Sequence, residues 1–473
     1  MSNENKWGKV SKETVIFFQK LIDKQAVISD KEQMAAYDHD YTEDLHFLPH
    51  IVLIPNTADQ IAKILEKCNL EKIPVTVRGA GTGLSGGALP IHGGVLLSME
   101  KMNRILAIDE RNLQATVEPG VITQIFQEAV EAKGLFYPPD PASKGSCFIG
   151  GNLAENSGGP KAVKYGVTKD YVLNLEVALP DGRLFWTGAN VLKNATGLNL
   201  TQLMVGSEGT LGVITKAVFR LIPKPKYDVL MLVPFRKAAE ACEAVSAIFH
   251  LGITPSGLEF MERDALDFAK QFISGIELEI EADVEAHLLI ELDGNQQEVL
   301  LQEAEEIFHL LEQYDCAEVL MADSATEKEK LWKLRRSLGE AVKRNSIYKE
   351  EDTVVMRANL PQLLKGVKAI GERYGFCSVC YGHAGDGNLH VNILKGEMTD
   401  DAWNGTHLKN GIREIFKLCK QLGGTISGEH GIGLVQKEYM ELLFSPEDIA
   451  LQKAIKKVFD PNGILNPGKV WMD

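Results

Sequence analysis

The sequence predicts a protein of two domains in which strands and helices are mixed. Its 473 residues exceed what one compact domain usually holds. From residue 73 to residue 214, strand-like segments alternate with glycine-rich turns. After Pro223 and Pro225 this pattern gives way to helical periodicity, which indicates a domain boundary there.

The composition is that of a soluble globular protein, with 45% hydrophobic and 24% charged residues. A net charge of −15 argues against nucleic acid as a partner, because phosphate binding requires clustered Lys and Arg. Seven scattered cysteines form no disulfide framework and suit a reducing compartment. The polar start lacks the apolar stretch of a signal peptide. We therefore expect a cytoplasmic protein, and peripheral attachment at the inner face of the membrane stays open.

The first glycine-rich loop, Arg78–Gly87, follows a short strand. Its glycines and Ser85 match both the dinucleotide fingerprint and the nucleophile elbow, but each motif requires a helix directly afterwards. Pro90 and the pair Gly93–Gly94 leave no room for that helix. What remains is a loop whose successive N–H groups can hold a pyrophosphate, with Arg78 adding positive charge.

Two further glycine-rich stretches, Tyr137–Gly166 and Val205–Ile214, extend this pattern. We expect the first of them to be largely loop, with prolines fixing its entry and glycine pairs allowing close approach to a flat group. Ser146, Asn152 and Asn156 offer the neutral hydrogen bonds that a heteroaromatic ring requires. Together the three segments predict a site for a large nucleotide cofactor.

The second half contains a dense cluster of metal-ligand residues, Gly382–His390. His383 and His390 flank a glycine turn between two strand-like segments, so the backbone can fold and let both imidazoles converge. With Glu429 they form a three-ligand set suited to zinc or another divalent first-row ion, leaving one position open. The alternative is a pair of hydrogen-bonded core histidines.

A helix is predicted after the capping box Ser324–Glu327, with an apolar stripe that continues to Val342. Arg335 lies on the edge of this stripe and should project along the packed face. Gly339 falls in mid-helix, which costs about 1 kcal/mol relative to Ala and suggests close packing there. The alternative is a surface arginine in a charge-rich helix.

These motifs carry a family resemblance. RGAGTGLSGG, PDPASKGSCFIGGNLAENSGG and VGSEGTLGVIT resemble the FAD-binding half of the vanillyl-alcohol oxidase/p-cresol methylhydroxylase flavoproteins. GHAGDGNLH and SGEHGIG are similar to the FAD-linked D-2-hydroxyacid dehydrogenase branch. That branch includes D-lactate dehydrogenases, D-2-hydroxyglutarate dehydrogenases and the flavin subunit of glycolate oxidase. The resemblance extends from about residue 40 to residue 469.

The resemblance implies an α+β fold: an FAD-binding domain of two α+β subdomains, and a cap domain with an antiparallel sheet and helices. The corresponding ranges are 1–225 for the FAD domain, 226–431 for the cap with the metal site, and 432–473 for a C-terminal helix and tail that return to the FAD domain.

The resemblance also implies site residues. Arg335 would bind the substrate carboxylate. No histidine occurs between Arg78 and Gly87, so FAD should be bound non-covalently. The residues expected at the cofactor are Arg78, Gly79, Ala80, Gly81, Thr82, Gly83, Leu84, Ser85, Gly86, Gly87, Pro139, Asp140, Ser143, Ser146, Gly150, Gly151, Asn156, Gly158, Glu208, Gly209, Ile214 and Asn466.

The expected reaction is oxidation of a small D-2-hydroxy acid, of D-lactate or glycolate type, to the 2-keto acid. His430 is the candidate base because imidazole titrates near working pH, and Asn392, two residues beyond His390, is a candidate hydrogen-bonding partner of the substrate. The 2-hydroxyglutarate members carry a hydroxyl residue where this chain has Gly339, and a lysine shortly after. Their absence favours a monocarboxylate, with D-2-hydroxyglutarate as the alternative.

Electrons should leave the flavin for a separate acceptor, because no cysteine run fits an iron–sulfur cluster. A quinone, an electron-transfer flavoprotein and an iron–sulfur subunit are the candidates, and a homodimer is compatible with the chain. Two other roles stay open: a non-redox member resembling alkylglycerone-phosphate synthase, and a non-catalytic FAD-holding subunit of a membrane oxidase complex.

Overall fold

The computed structural model describes residues 6–42, 45–273 and 280–472. It mixes helices and sheets, and the predicted α+β class is confirmed. The chain divides into two compact units. The first unit comprises residues 1–158, 167–224 and 429–473, and the second comprises 159–166 and 225–428.

The strands occur in both units, and the longest belong to the second. In chain order they are β1 (Val27–Ile28), β2 (Ile51–Leu53), β3 (Val75–Arg78), β4 (Val95–Ser98), β5 (Ile105–Asp109), β6 (Gln114–Val117), β7 (Leu135–Phe136), β8 (Val172–Ala178), β9 (Leu184–Trp186), β10 (Val213–Arg220), β11 (Ile222–Pro223), β12 (Tyr227–Phe235), β13 (Gly257–Glu262), β14 (Ala286–Gly294), β15 (Leu320–Met321), β16 (Tyr348–Val354), β17 (Cys377–Gly382) and β18 (Asn388–Leu394).

The helices range from single turns to sixteen residues. They are α1 (Lys12–Leu21), α2 (Lys31–Met34), α3 (Ala58–Glu71), α4 (Thr123–Glu131), α5 (Ile149–Glu155), α6 (Ala162–Tyr165), α7 (Leu200–Met204), α8 (Ala238–His250), α9 (Arg263–Phe272), α10 (Gln297–Leu311), α11 (Ala325–Arg336), α12 (Leu338–Asn345), α13 (Leu360–Tyr374), α14 (Asp400–Asn404), α15 (Thr406–Gln421), α16 (Met440–Leu443) and α17 (Pro446–Phe459).

The first unit contains two main sheets. A four-stranded sheet has the order β1-β2-β4-β3, and β4 runs parallel to both of its neighbours. A five-stranded antiparallel sheet has the order β5-β6-β10-β8-β9. The C-terminal tail rejoins this unit, because Val75 of β3 bonds to the backbone of Ile464 and Asn466 at 2.8 Å each. Ile464 and Leu465 are consequently part of the apolar core over the parallel strands.

The second unit is built on one seven-stranded antiparallel sheet, in the order β15-β12-β14-β13-β17-β18-β16. Its central strands β13 and β14 are almost continuously buried, as expected for strands covered on both faces. Helices α9, α11 and α12 contribute Leu266, Leu334 and Leu338 to the core on one face.

The unit boundaries differ from the expected ranges at two places. Residues 159–166 belong to the second unit, because the ammonium groups of Lys161 and Lys164 pair with Glu291 and Asp293 of β14. Residues 429–431 belong to the first unit rather than to the cap. Both departures rest on contacts between segments far apart in sequence, which local patterns do not report.

The single helix predicted from Ser324 to Val342 is wrong, since the structure has two. Ser324 caps α11 as expected, accepting the N–H of Glu327 at 3.2 Å. Helix α11 ends at Arg336, and the hydroxyl of Ser337 donates to Lys333 O at 2.7 Å beside the backbone N–H of the same residue, a side-chain bond that often bends helices. Gly339 therefore lies in the first turn of α12 and not in mid-helix.

The stretch Tyr137–Gly166 is also less loop-like than predicted. Gly150 and Gly151 lie within α5, and α6 follows. Asn156 ends α5 in the left-handed conformation, with φ 58°. Glycine is the residue most often found in this position at the end of a helix, and asparagine is the next most common.

Helix α17 has the predicted start: Ser445 accepts the N–H of Asp448 at 3.2 Å, and Pro446 occupies the first turn. Within the described ranges, every helix is too short or too polar to cross a bilayer.

Candidate active site

The Arg78–Gly87 loop of the first unit leaves β3 and reaches β4 without an intervening helix. The structure thus excludes the dinucleotide fingerprint and the nucleophile elbow. A β-carbon built on Gly83, Gly151 or Gly209 would meet no heavy atom within 4 Å. These glycines border open space, so a ligand can approach the backbone closely there, which fits a loop that holds the pyrophosphate of FAD.

Arg78 is buried at the start of this loop. Its Nη1 donates to the carbonyl of His39 at 2.7 Å. Burial lowers the pKa of its guanidinium, although nearby Asp40 and Tyr37 act in the opposite direction. A β-carbon on Gly81 would come within 2.1 Å of the Arg78 Nη2, so glycine is required for the guanidinium to lie over the loop.

Several of the predicted cofactor residues have their polar groups engaged within the protein. Ser146 donates to the Ser143 carbonyl at 3.3 Å. The Asn156 side chain accepts the N–H of Lys169 at 2.9 Å, and the carbonyl of Pro139 accepts from Gln127 at 2.9 Å. These bonds stabilise the backbone conformation of this stretch. Other predicted residues are placed as follows: Asp140 is buried, Gly150 packs on Pro119, and Ile214 pairs with Val177 across the five-stranded sheet.

Glu208, predicted at the cofactor, has both carboxylate oxygens committed to backbone. Oε1 accepts the N–H of Ile432 at 2.9 Å, and Oε2 accepts that of Gly433 at 2.6 Å. The Asn466 amide donates to the carbonyls of Gly87 and Glu208, at 3.0 and 2.8 Å. The glycine loop, the Glu208 turn and the C-terminal tail are thereby tied together within the first unit.

The same region brings the carboxyl groups of Glu155 and Glu208 close to the ammonium group of Lys469. Burial raises the pKa of both Glu155 and Glu208; the neighbouring Glu208 and Asp40 carboxylates raise that of Glu155 further, whereas the bonds from Ile432 and Gly433 act in the opposite direction at Glu208. Lys469 is the nearby cation; burial lowers its pKa to about 7, and it donates to the carbonyls of Gly87 and Leu89.

Glu429, the predicted third metal ligand, accepts the backbone N–H of Gly158 at 3.2 Å. Gly158 was predicted to contact the cofactor, and its N–H is therefore already engaged with Glu429.

In the second unit, the GHAGDGNLH segment forms a hairpin that brings two imidazoles together. β17 and β18 pair antiparallel, and the link contains one 3₁₀ turn and Gly387 at φ 86°. A β-carbon on Gly387 would come within 2.0 Å of the Val355 carbonyl, so this tight turn requires glycine. The buried rings of His383 and His390 lie 5.5 Å apart and nearly perpendicular. The predicted convergence of the two histidines is therefore observed.

Glu259, which the sequence patterns did not predict as a site residue, orients His383. It lies fully buried on β13, and its carboxylate oxygens are each 2.9 Å from Nδ1 of His383. Its Oε2 is also 2.6 Å from Nη2 of Arg335. Burial alone would raise the pKa of Glu259, but Arg335 and His383 outweigh it and the pKa is lowered. With Nδ1 directed at this carboxylate, the orientation of the His383 ring is fixed.

His390 has carboxylates on its Nδ1 side as well. Glu350 and Asp352 of β16 lie 3.5 and 3.7 Å from this nitrogen. Asp352 also accepts from the Asn388 amide at 2.7 Å and from the backbone N–H of Gly428 at 2.7 Å. A carboxylate behind each histidine is the arrangement commonly found around metal-bound imidazole, because it fixes the ring and raises its basicity.

Arg335 is 5% exposed and extends from α11 into this polar site. Its guanidinium carbon lies 5.3 Å from the centre of the Tyr381 ring. Among the described residues, its Nε has no hydrogen-bond acceptor. The prediction that Arg335 lies on a packed face is confirmed, and the buried guanidinium retains donor capacity for a carboxylate.

Tyr381, Asn392 and Gly339 complete the surroundings. Asn392 is fully buried on β18, two residues beyond His390 on the same strand face. A β-carbon on Gly339 would lie 3.2 Å from the Tyr381 hydroxyl, so the tyrosine occupies the space next to this glycine. Arg357, a further cation in the region, stacks on Phe249 with its guanidinium carbon 3.8 Å from the ring centre.

The family of the chain follows from comparison with known proteins. Residues 49–188 match the FAD binding domain, and residues 224–470 match the C-terminal domain of FAD linked oxidases. The glycolate oxidase subunit GlcD of Bacillus subtilis is 40% identical and aligns with 92% of both chains. The D-lactate dehydrogenase of Anaerostipes hadrus is 34% identical over 99% of both. The D-2-hydroxyglutarate dehydrogenase of Stutzerimonas stutzeri is 35% identical over 95% of this chain and 97% of that one.

Solved structures show the same fold. p-Cresol methylhydroxylase with substrate bound superposes with a TM-score of 0.78 at 19% identity, covering 98% of this chain and 96% of that one. Alkyldihydroxyacetonephosphate synthase gives a TM-score of 0.76 at 17% identity, over 99% and 88%. The protein is an FAD-dependent oxidoreductase. It belongs to the FAD-linked oxidases of the vanillyl-alcohol oxidase/p-cresol methylhydroxylase family.

Proposed function

We propose that the protein oxidises a small D-2-hydroxy acid, of D-lactate or glycolate type, to the 2-keto acid. The observation that carries this is the sharing of Glu259 by Arg335 and His383, at 2.6 and 2.9 Å. A 2-hydroxy acid has its carboxylate on the carbon that bears the hydroxyl. A guanidinium for the carboxylate and an imidazole for the hydroxyl, both held by one carboxylate, match that substrate. Two of the relatives are named for glycolate and D-lactate.

We further propose that His383, His390 and Glu429 hold a divalent cation, with zinc as the first candidate. The carboxylates behind both histidines support this assignment. Gly428 donates its N–H to Asp352, which also lies near His390. Glu429 directly follows Gly428, so the Cα atoms of these two residues are about 3.8 Å apart. A cation there would supply Lewis acidity toward the substrate hydroxyl.

FAD, when bound, supplies the hydride acceptor at N5, and the chain must remove the hydroxyl proton. We assign that task to His430, which directly follows Glu429. Arg335 would fix the carboxylate, and Asn392 would orient the substrate from the His390 strand face. Burial of Arg335, His383, His390 and Asn392 keeps water from competing for these contacts.

Replacing His430 with asparagine should slow flavin reduction by about 10²- to 10⁴-fold, which is the usual contribution of a positioned general base. FAD content and metal content should stay unchanged. Anaerobic stopped-flow absorbance at the flavin band measures the rate, and elemental analysis measures the metal. His309→Asn, at an exposed histidine of α10, is the control. A His430→Asn enzyme that reduces its flavin at the wild-type rate would remove His430 as the base.

The charges around the site favour a monocarboxylate. Glu259, Glu350 and Asp352 lie close to the histidine pair, and the guanidinium of Arg335 already pairs with Glu259. A distal carboxylate would add to this negative charge, and the Tyr381 hydroxyl adjoins Gly339, where 2-hydroxyglutarate members carry a hydroxyl residue. D-2-Hydroxyglutarate is retained as the second candidate because one 35% identical relative is named for it.

Anaerobic bleaching of the flavin tests the proposal directly. D-Lactate, glycolate, D-2-hydroxybutyrate and D-2-hydroxyglutarate are mixed with the holoenzyme, and L-lactate serves as the stereochemical control. Fast bleaching by one of the first three supports the proposed substrate class. Bleaching by D-2-hydroxyglutarate alone would move the assignment to the second candidate. No bleaching by any of them would favour the FAD-holding subunit.

The Arg78–Gly87 loop contains no histidine, so FAD should be held without a covalent bond. Acid precipitation of the holoenzyme should therefore release all of the flavin into the supernatant, with the spectrum of free FAD. Yellow colour retained in the washed pellet would contradict this prediction.

The proposal for the electron acceptor rests on the lack of a cysteine pattern for an iron–sulfur cluster that could carry electrons within the chain. All seven cysteines are unpaired thiols within the described residues, and their spacing fits no iron–sulfur cluster. We propose that a quinone, an electron-transfer flavoprotein or an iron–sulfur subunit reoxidises the flavin. Activity with an artificial dye that far exceeds activity with oxygen is the expected signature.

A further inference from the structure

We propose that Glu208 is a positioning residue: its carboxylate fixes the Gly431–Gly433 turn and thereby sets the place of the His430 imidazole. The inference rests on the proposed function, in which His430 is the base. Glu208 lies 222 positions before His430 in the sequence, yet both belong to the first unit, and its carboxylate reaches the backbone directly beyond His430.

The turn after His430 is held by acceptors at successive N–H groups. Glu208 accepts from Ile432 and Gly433, at 2.9 and 2.6 Å. The carbonyl of Ser85 accepts from Leu434 at 2.7 Å and from Val435 at 3.2 Å. Four consecutive backbone N–H groups thus have acceptors, and the two nearest His430 depend on a single side chain.

Glu208 itself is fixed by its backbone. It lies between Gly206 and Gly209 in the left-handed conformation, with φ 51°. Its N–H donates to Ala154 O at 2.9 Å, at the end of α5, and its carbonyl accepts from Asn466 at 2.8 Å. Because the backbone N–H and the carbonyl of Glu208 are both hydrogen-bonded, its carboxylate has little freedom to move. It can therefore hold the Gly431–Gly433 turn in one place.

A second carboxylate, that of Glu155, also packs against this turn. A β-carbon on Gly431 would lie 1.8 Å from Oε2 of Glu155 and 3.3 Å from the Glu208 carboxyl carbon. The Gly431 backbone therefore packs directly on Glu155, and its φ of 82° is one that glycine alone adopts readily. Packing at Gly431 and hydrogen bonds at the next two residues leave His430 at the end of a fixed segment.

Glu208→Gln tests the proposal, because glutamine keeps the size but replaces one acceptor by a donor facing an N–H. We expect flavin reduction by the best substrate to slow ten- to a hundredfold, with KM changed less than threefold and FAD still bound. Glu208→Asp should be equally slow, since it keeps the charge but is too short to reach both N–H groups. Glu176→Gln is the matched control: Glu176 is a buried carboxylate of the same unit that binds Thr215 and Lys216.

A double-variant comparison separates positioning from general damage. If Glu208 acts through His430, the Glu208→Gln/His430→Asn enzyme should reduce its flavin no more than twofold slower than His430→Asn alone. Rate losses that multiply, or a wild-type rate in FAD-loaded Glu208→Gln, would overturn the inference while leaving His430 as base. A wild-type rate in His430→Asn would instead refute the assignment of the base, and this inference with it.

Discussion

Replacing His383 with alanine should remove the divalent cation and abolish turnover while FAD stays bound. Lewis-acid assistance is worth several kcal/mol, and each 1.4 kcal/mol changes a rate tenfold, so a loss of about a thousandfold or more is expected. His383 belongs to the second unit, whereas the glycine loops predicted to hold FAD belong to the first, so flavin content should not follow metal content. Elemental analysis, the flavin spectrum and anaerobic bleaching measure the three quantities.

The control for this variant is a buried histidine of the same sheet that lies outside the proposed site. His287 on β14 is 2% exposed, and burial lowers its pKa to about 4, so it is neutral at working pH. His287→Gln should keep both metal and turnover. A His383→Ala protein that retains one equivalent of metal and bleaches normally would remove the metal from the proposal.

Replacing Arg335 with lysine should lower kcat/KM for a D-2-hydroxy acid by about 10²- to 10³-fold. Charge-assisted hydrogen bonds contribute about 1.5–3 kcal/mol each, and lysine cannot form the planar pair that a guanidinium makes with a carboxylate. Lysine still provides a cation near Glu259, so the variant should avoid the destabilisation of about 3–5 kcal/mol that an unpaired buried carboxylate causes. Steady-state kinetics and thermal unfolding measure the two effects.

Arg344→Lys is the matched control, because Arg344 lies in the adjacent helix α12, is exposed, pairs with Glu340 at 2.8 Å and stacks on Phe272. It should leave kcat/KM within twofold of wild type. If Arg335→Lys behaves like this control, the guanidinium does not bind the substrate carboxylate, and Arg335 serves only to neutralise Glu259.

The predictable part of the site was the part encoded by short-range patterns. Two histidines around a glycine turn, a capping serine before α11 and an arginine beside an apolar stripe each follow from local spacing. The break at Ser337 was not predicted, because a serine is common inside helices and its sequence context gives no sign that α11 ends at Arg336 and α12 begins at Leu338.

Glu259 was not predicted as a site residue for a different reason. It lies 124 residues before His383, and only the pairing of β13 with β17 brings the two together. A signal was nevertheless present, since Glu259 interrupts the apolar run Leu258–Met261, and a carboxylate inside a buried strand requires a cationic partner. Glu208 gave no comparable signal, because its partners are backbone N–H groups.

Glu259 contacts both Arg335, proposed to bind the substrate carboxylate, and His383, proposed to act at the substrate hydroxyl. Binding of the carboxylate and chemistry at the hydroxyl therefore cannot be altered independently. A mutation that shifts Arg335 to admit a bulkier acid would also turn the His383 ring and disturb chemistry at the hydroxyl. Laboratory selection for new acids should therefore yield compensating pairs around Glu259 more often than single replacements, so libraries that randomise positions 259, 335 and 383 jointly should outperform those that scan them one at a time.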